Sequence, residues 1–100
     1  MDINLPHSSY KNCRLQWAHY SNARPALQIV TEYNEPLLTA SVNMPDHLLP
    51  PNCIFIKNYS ENAGIMEELI RHNILADTKA TIQSGFIKVN ICVIVDKEQQ

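Results

Sequence analysis

Four histidines, three cysteines and a pair of adjacent glutamates are the groups in this chain whose chemistry could extend beyond structure. A helical zinc site needs two histidines four residues apart, so that both imidazoles project from one face. His7, His19, His47 and His72 supply no such pair and no recognised carboxylate partner. His72 has an ordinary role open to it, as a cation at the C-terminal end of a helix. No metal ligand and no cofactor is expected. Nucleophilic catalysis needs a thiol or hydroxyl beside a base. Cys13, Cys53 and Cys92 each sit inside an apolar, strand-forming run without CxxC spacing, and so read as buried free thiols of a reducing compartment. Ser60 followed by Glu61 is a helix-capping pattern, not a dyad. Glu67 and Glu68 project about 100° apart on a helix, which does not make a general acid and base. A small enzyme using Cys53, or His47 in the proline-rich loop, is the alternative from another class; the residue types favour a non-catalytic protein.

Nucleic-acid binding is disfavoured by the charge. Ten acids against eight bases give a net charge of −2, and no Lys/Arg stripe supplies the electrostatic footprint that such binding needs. Four acids balance four bases through Lys57, whereas six acids face four bases from Asn58 onward, so the negative excess belongs to the second part. The aromatics Tyr10, Trp17, Tyr20, Tyr33, Phe55, Tyr59 and Phe86 lack the interleaved bases of a base-stacking platform. Trp17 is expected in the core, and Tyr20, Tyr33 and Tyr59 at the rim, where tyrosines serve protein interfaces.

These groups must be positioned by elements whose patterns are short. One hundred residues, 45% of them hydrophobic, fit a single folded domain over 1–100, with 1–12 as an N-terminal arm and 96–100 as a solvated tail. No apolar run is long enough to span a bilayer and no signal-peptide pattern opens the chain, so a cytoplasmic protein is expected. "CRLQWAHY" alternates, with Cys13, Leu15, Trp17 and His19 on one face. "ALQIVTEY" and "LLTASVNM" follow after short turns, and the three read as an antiparallel meander. "PDHLLPPN" cannot continue a central strand, because proline lacks the N–H of the ladder. "CIFIK" is a fourth strand, "AGIMEELIRHNI" a helix burying Ile65, Met66, Leu69 and Ile70, and Asn73 with Ile74 suits a left-handed helix ending. "ATIQSGFIKVNICVIV" is a strand with a turn or bulge at Ser84 and Gly85, its Ile87, Val89, Ile91, Val93 and Val95 on one face; apolar on both sides, it belongs in the middle of a sheet or under a helix. The expected architecture is α+β, a mainly antiparallel sheet of about five strands with one helix packed on one face.

The strand-to-helix join "NYSENAG", residues 58–64, has a structural reading of its own. Ser60 is placed to cap the helix, with Asn62 as the alternative, and Glu61 adds negative charge to the first turn. Glycine in a helix costs about 1 kcal/mol relative to alanine, so Gly64 implies close approach of another backbone. Tyr59 is required by neither cap nor helix.

The pieces "ASVNMP", "IKNYSENAGI", "HNIL" and "TIQSGFIKVNIC" resemble, in order and spacing over about residues 26–93, a family of small uncharacterised proteins from bacteria, phages and mobile elements with an "IKDYSENEG…SGFV" pattern. Asn58 and Ala63 depart from it, standing where acids are usual. By association the resemblance implies a protein of a bacterial host cell that binds and blocks a host factor, such as an anti-CRISPR inhibitor acting on a larger protein or ribonucleoprotein complex. The expected function is therefore a protein-binding module, monomeric or homodimeric, with Tyr59, Glu61, Glu67 and Glu68 as partner-binding residues. A structural homodimer pairing through an edge strand is the further alternative.

Overall fold

A computed structural model describes residues 1–97. The architecture is α+β and antiparallel throughout its ladders, but the expected single sheet of about five strands is divided into three small ones. β1 (Ile3–Asn4) and β2 (Ser9–Tyr10) form a two-stranded ribbon. β3 (Arg14–His19), β4 (Pro25–Val30) and β5 (Pro36–Thr39) form the meander. β6 (Cys53–Ile56), β7 (Leu75–Ser84) and β8 (Ile87–Ile94) form the third sheet in the order β6-β8-β7. The helix α1 (Ile65–Arg71) lies between β6 and β7 in sequence.

The division has a local cause. The third meander strand, expected to run on through Met44, stops pairing with β4 at Thr39. Ala40 still donates its N–H to Leu27 O at 2.9 Å, but its own carbonyl accepts from Lys57 N–H at 2.8 Å, and Ser41 bridges to Ile56. Residues 40–42 thus leave one sheet and strap it to the next. Ser41 makes the crossing tolerable: its buried Oγ accepts the Leu27 N–H at 2.9 Å and shares a hydrogen bond with the Tyr20 hydroxyl at 2.8 Å. A buried donor left unpaired there would cost about 1–3 kcal/mol.

β8 is the central strand of its sheet, one of the two places its two-sided apolar character allows. Its buried face is a different matter. Cys92 pairs with Ile54, and both are fully buried, as is Ile56. Strand side chains alternate, so Val93 points away from this core, and Val95 beyond the strand is 57% exposed. The face carrying Ile87, Ile91 and Val93 is therefore the outer one, with Ile91 half-buried and Val89 the one member that is fully covered.

The 1–12 segment is an integral part of the core. Ile3 and Leu5 are buried with Leu15, Leu27, Ile29, Ile54, Ile56, Leu69 and Ile74 in one apolar cluster. The tail expected from Asp96 lies outside the described residues beyond Lys97. α1 has only seven residues, too few to be stable alone, and is held by its ends. Its C-terminus closes as the sequence indicates: Asn73 has φ +61°, its N–H reaches Ile70 O, and the buried Ile74 folds back with its N–H on Leu69 O.

Gly64 precedes α1 with φ +95°, and a Cβ there would stand 3.1 Å from Pro6 Cδ. The close approach inferred from sequence is real, but its source is the side chain of Pro6, not a strand backbone. Gly64→Ala is expected to cost about 1–2 kcal/mol, from a left-handed alanine and the displaced Pro6 together. Urea denaturation would measure it. A neutral result would show that the β1–β2 ribbon is not firmly seated on the helix.

Candidate functional site

The join between β6 and α1 is organised by Asn58, not by Ser60. The chain first makes a single 3-10 turn over Ser60–Asn62, and α1 begins only at Ile65. Ser60 is left-handed, with φ +54°, and lies a full turn too early to reach the freed N–H groups of the helix. Asn58 Oδ1 takes that role, accepting from the Gly64 and Met66 N–H groups at 3.0 Å each. Asn62 is no cap either. It is buried, and its Nδ2 donates to Thr39 O at 2.6 Å, pinning the join to the end of β5.

The four residues expected to bind a partner occupy two different environments. Tyr59 is half-buried, its ring 5.7 Å from the Lys57 ammonium. Lys57 also reaches Glu61 Oε1 at 2.6 Å, and this hydrogen bond, helped by a backbone N–H, holds the Glu61 carboxyl below the usual glutamate range. Glu67 is exposed and accepts from Asn58 Nδ2 at 3.1 Å. Tyr59, Glu61 and Glu67 are thus gathered on one short segment through Lys57 and Asn58. Lys57 accounts for Tyr59, which the local sequence pattern leaves unexplained.

Glu68 is different, and its expected exposure is corrected. It is only 9% exposed. Its carboxylate accepts the Asn4 N–H at 2.6 Å and two bonds from Arg71, at 2.7 and 3.2 Å. The β1–β2 ribbon docks against α1 and covers this side, extending the buried face of the helix beyond its apolar stripe. Glu68 ties the N-terminal ribbon to the helix.

A second exposed feature lies at the other end of the third sheet. β6 ends at Ile56, opposite Asn90, and outward from Asn90 β8 is paired with β7 alone, through Ile82–Val89, Gln83–Lys88 and Ser84–Ile87. The glycine noted in the sequence is the first residue of a two-residue turn, Gly85–Phe86, with φ +61°. Phe86 is fully exposed and Ile87 partly so. The sequence leaves a turn or a bulge open within one strand here; the structure makes it the turn between two strands. That the hairpin runs on past its neighbour depends on where β6 stops.

The cysteines are buried and unpaired by disulfides. Burial pushes all three thiols up, Cys92 to about 12 with the nearby Asp77 charge adding to it. Such thiols carry little thiolate at neutral pH and are weak nucleophiles. Among the described residues no group of three His, Cys, Asp or Glu side chains is placed to hold a metal ion, and no helix is long and apolar enough to cross a membrane. Comparison of the chain with known protein families, with curated proteins and with solved structures finds no match.

Proposed function

We propose that this chain is a non-catalytic protein-binding module that occupies a surface of a larger partner, with the β7–β8 arm as its principal contact. The observation that carries this is Phe86, fully exposed at the tip of a hairpin that no third strand accompanies among the described residues. A two-stranded ribbon is marginal in water and gains nothing from an exposed phenylalanine, whereas buried aromatics dominate interface energetics. The unaccompanied part is three residue pairs long, a projection of about 10 Å, enough to enter a pocket. Tyr59, Glu61 and Glu67 form a second contact patch, suited to a basic rim. Glu68 supports the fold behind them. The resemblance to proteins of mobile elements directs the search to host defence complexes, where the module would act as an inhibitor of the anti-CRISPR kind.

Affinity capture from a bacterial lysate containing CRISPR–Cas effectors tests the assignment with three baits. Wild type is expected to retain a partner that Phe86→Asp loses, at unchanged thermal stability, while Glu61→Lys/Glu67→Lys weakens retention in low salt. A partner retained equally by all three baits would remove the arm and the acids from the interface.

One observation favours homodimerisation as a second reading. Next to a two-residue turn, Ser84 and Ile87 form a hydrogen-bonded pair, so alternation leaves the N–H and C=O groups of Thr81 and Gln83 facing the open edge of β7. Two copies related by a two-fold axis at Ile82 would pair Thr81 with Gln83 twice. A doubled mass by light scattering, abolished by Gln83→Pro, would establish this reading in place of the first. Nearer the helix the edge is closed to such pairing, because Lys79 N–H is taken by Asp77 Oδ1 and Ala80 N–H by Thr78 Oγ1.

A further inference from the structure

Between the β3–β4 turn, the proline-rich loop and the end of β8 the surface opens into a cleft of about 510 Å³. Three basic side chains line it, His19, Arg24 and Lys97, together with apolar surface from Leu49, Pro50 and Ile94. No aspartate or glutamate is among the described lining residues, although acids outnumber bases ten to eight in the chain. Asp96 lies between two lining residues in sequence without joining the lining, and has an interaction of its own. The volume is that of a small-molecule site, and apolar walls with a few convergent polar groups are its usual composition.

Two of the three basic groups are held in place. Arg24 donates one guanidinium N–H to Met44 O at 2.6 Å and lies over the Phe55 ring at 5.7 Å, which fixes the guanidinium at the base of the loop. Its other guanidinium N–H groups have no hydrogen-bond partner among the described residues. Lys97 lies 5.6 Å from the centre of the Trp17 ring. Beneath it, the Trp17 indole N–H is buried without an acceptor, the one such side-chain atom among the described residues. Clefts lined by one sign of charge between low-dielectric walls focus the field and concentrate the opposite charge.

We infer that this cleft binds a small organic anion, its carboxylate or phosphate head toward Arg24, Lys97 and His19 and its apolar body against Leu49, Pro50 and Ile94. The site is separate from the arm and the acidic patch, and its occupancy does not depend on the proposed partner. The protein carries its own reporter, since Trp17 is the only tryptophan and lies under Lys97.

Titration of the whole protein with benzoate and phenyl phosphate, against the uncharged benzamide and phenol, tests the inference. Trp17 emission and saturation-transfer NMR of the ligand serve as independent readouts. At least one of the anions should bind saturably with a dissociation constant of about 1 mM or tighter, and the neutral analogues should not. The preferred anion identifies the head group. His19→Gln/Lys97→Gln, which leaves Arg24 and its loop contact in place, should weaken binding about tenfold or more at unchanged melting temperature. Equal binding of neutral analogues, no saturable response to either anion, or undiminished binding by the double variant would overturn it. Inorganic phosphate binding as tightly as phenyl phosphate would overturn the role of the apolar wall.

Discussion

Glu68→Ala is expected to destabilise the protein by about 2 kcal/mol, chiefly by leaving the Asn4 N–H without its acceptor where ribbon and helix meet. The ion pair with Arg71 is the smaller part of the effect. Arg71 is 55% exposed, and an arginine that water can reach loses little when its partner goes. The two contributions separate experimentally. Glu68→Gln keeps an oxygen for the Asn4 N–H but loses the charge and the acceptor of the Arg71 Nε–H; with Arg71 free to turn to water it should retain most of the stability, and Arg71→Gln should cost little. If Glu68→Gln proves as damaging as Glu68→Ala, the charged contact with Arg71 and not the Asn4 hydrogen bond holds the ribbon. For a domain of this size each kcal/mol moves the melting midpoint by about 4–8 °C, so calorimetry resolves the difference.

The same carboxylate gives the fold a pH dependence of definite sign. The Arg71 hydrogen bonds, reinforced by the Asn4 N–H, hold the Glu68 carboxyl below the ordinary glutamate value of 4.5 against the opposing effect of burial. A depressed native pKa means that the unfolded chain takes up its proton first as the pH falls. The stabilising contribution is complete above the unfolded value and is lost as the pH drops through the lower, folded one. Wild type should therefore lose stability on acidification below 4.5 more steeply than Glu68→Gln.

Asn58→Ala should cost about 2 kcal/mol, because it removes the acceptor of two N–H groups at the start of a helix too short to form unaided. Asn58→Asp is the instructive companion. It keeps the acceptor and makes it ionic, which strengthens both bonds, but it loses the donor to Glu67 and sets two carboxylates side by side. Its stability should lie between those of wild type and Asn58→Ala at low ionic strength, and approach wild type as salt screens the repulsion. An Asn58→Ala variant as stable as wild type would mean that packing of Ile65, Met66 and Leu69 alone fixes α1. The amide at this position does what an ionised acid cannot, accepting from the helix and donating to its first exposed glutamate.

What the sequence determined by itself is what short-range physics controls. The helix ending at Asn73 and Ile74, the alternation of Cys13 and Leu15 into the core and the burial of the three thiols each follow from a few neighbouring residues. The central place of β8 is one of the two that its having apolar residues on both sides allows. Only the tertiary structure decided the rest. Nothing in "MEEL" separates Glu67 from Glu68, which differ by one step around a helix; the ribbon of Ile3 to Tyr10, far removed in sequence, covers one and leaves the other in water. Ser60 and Asn58 are both competent caps, and the 3-10 turn between Asn58 and the helix selects the more distant. β8 could bury either face, and the choice fell to Ile54 and Ile56, which pair with it from across the chain. The arm exists because β6 stops at Ile56 while β8 continues to Ile87. In each case but the cap, the deciding term is a contact between segments distant in sequence, whose free energy exceeds the small local preference it overrides.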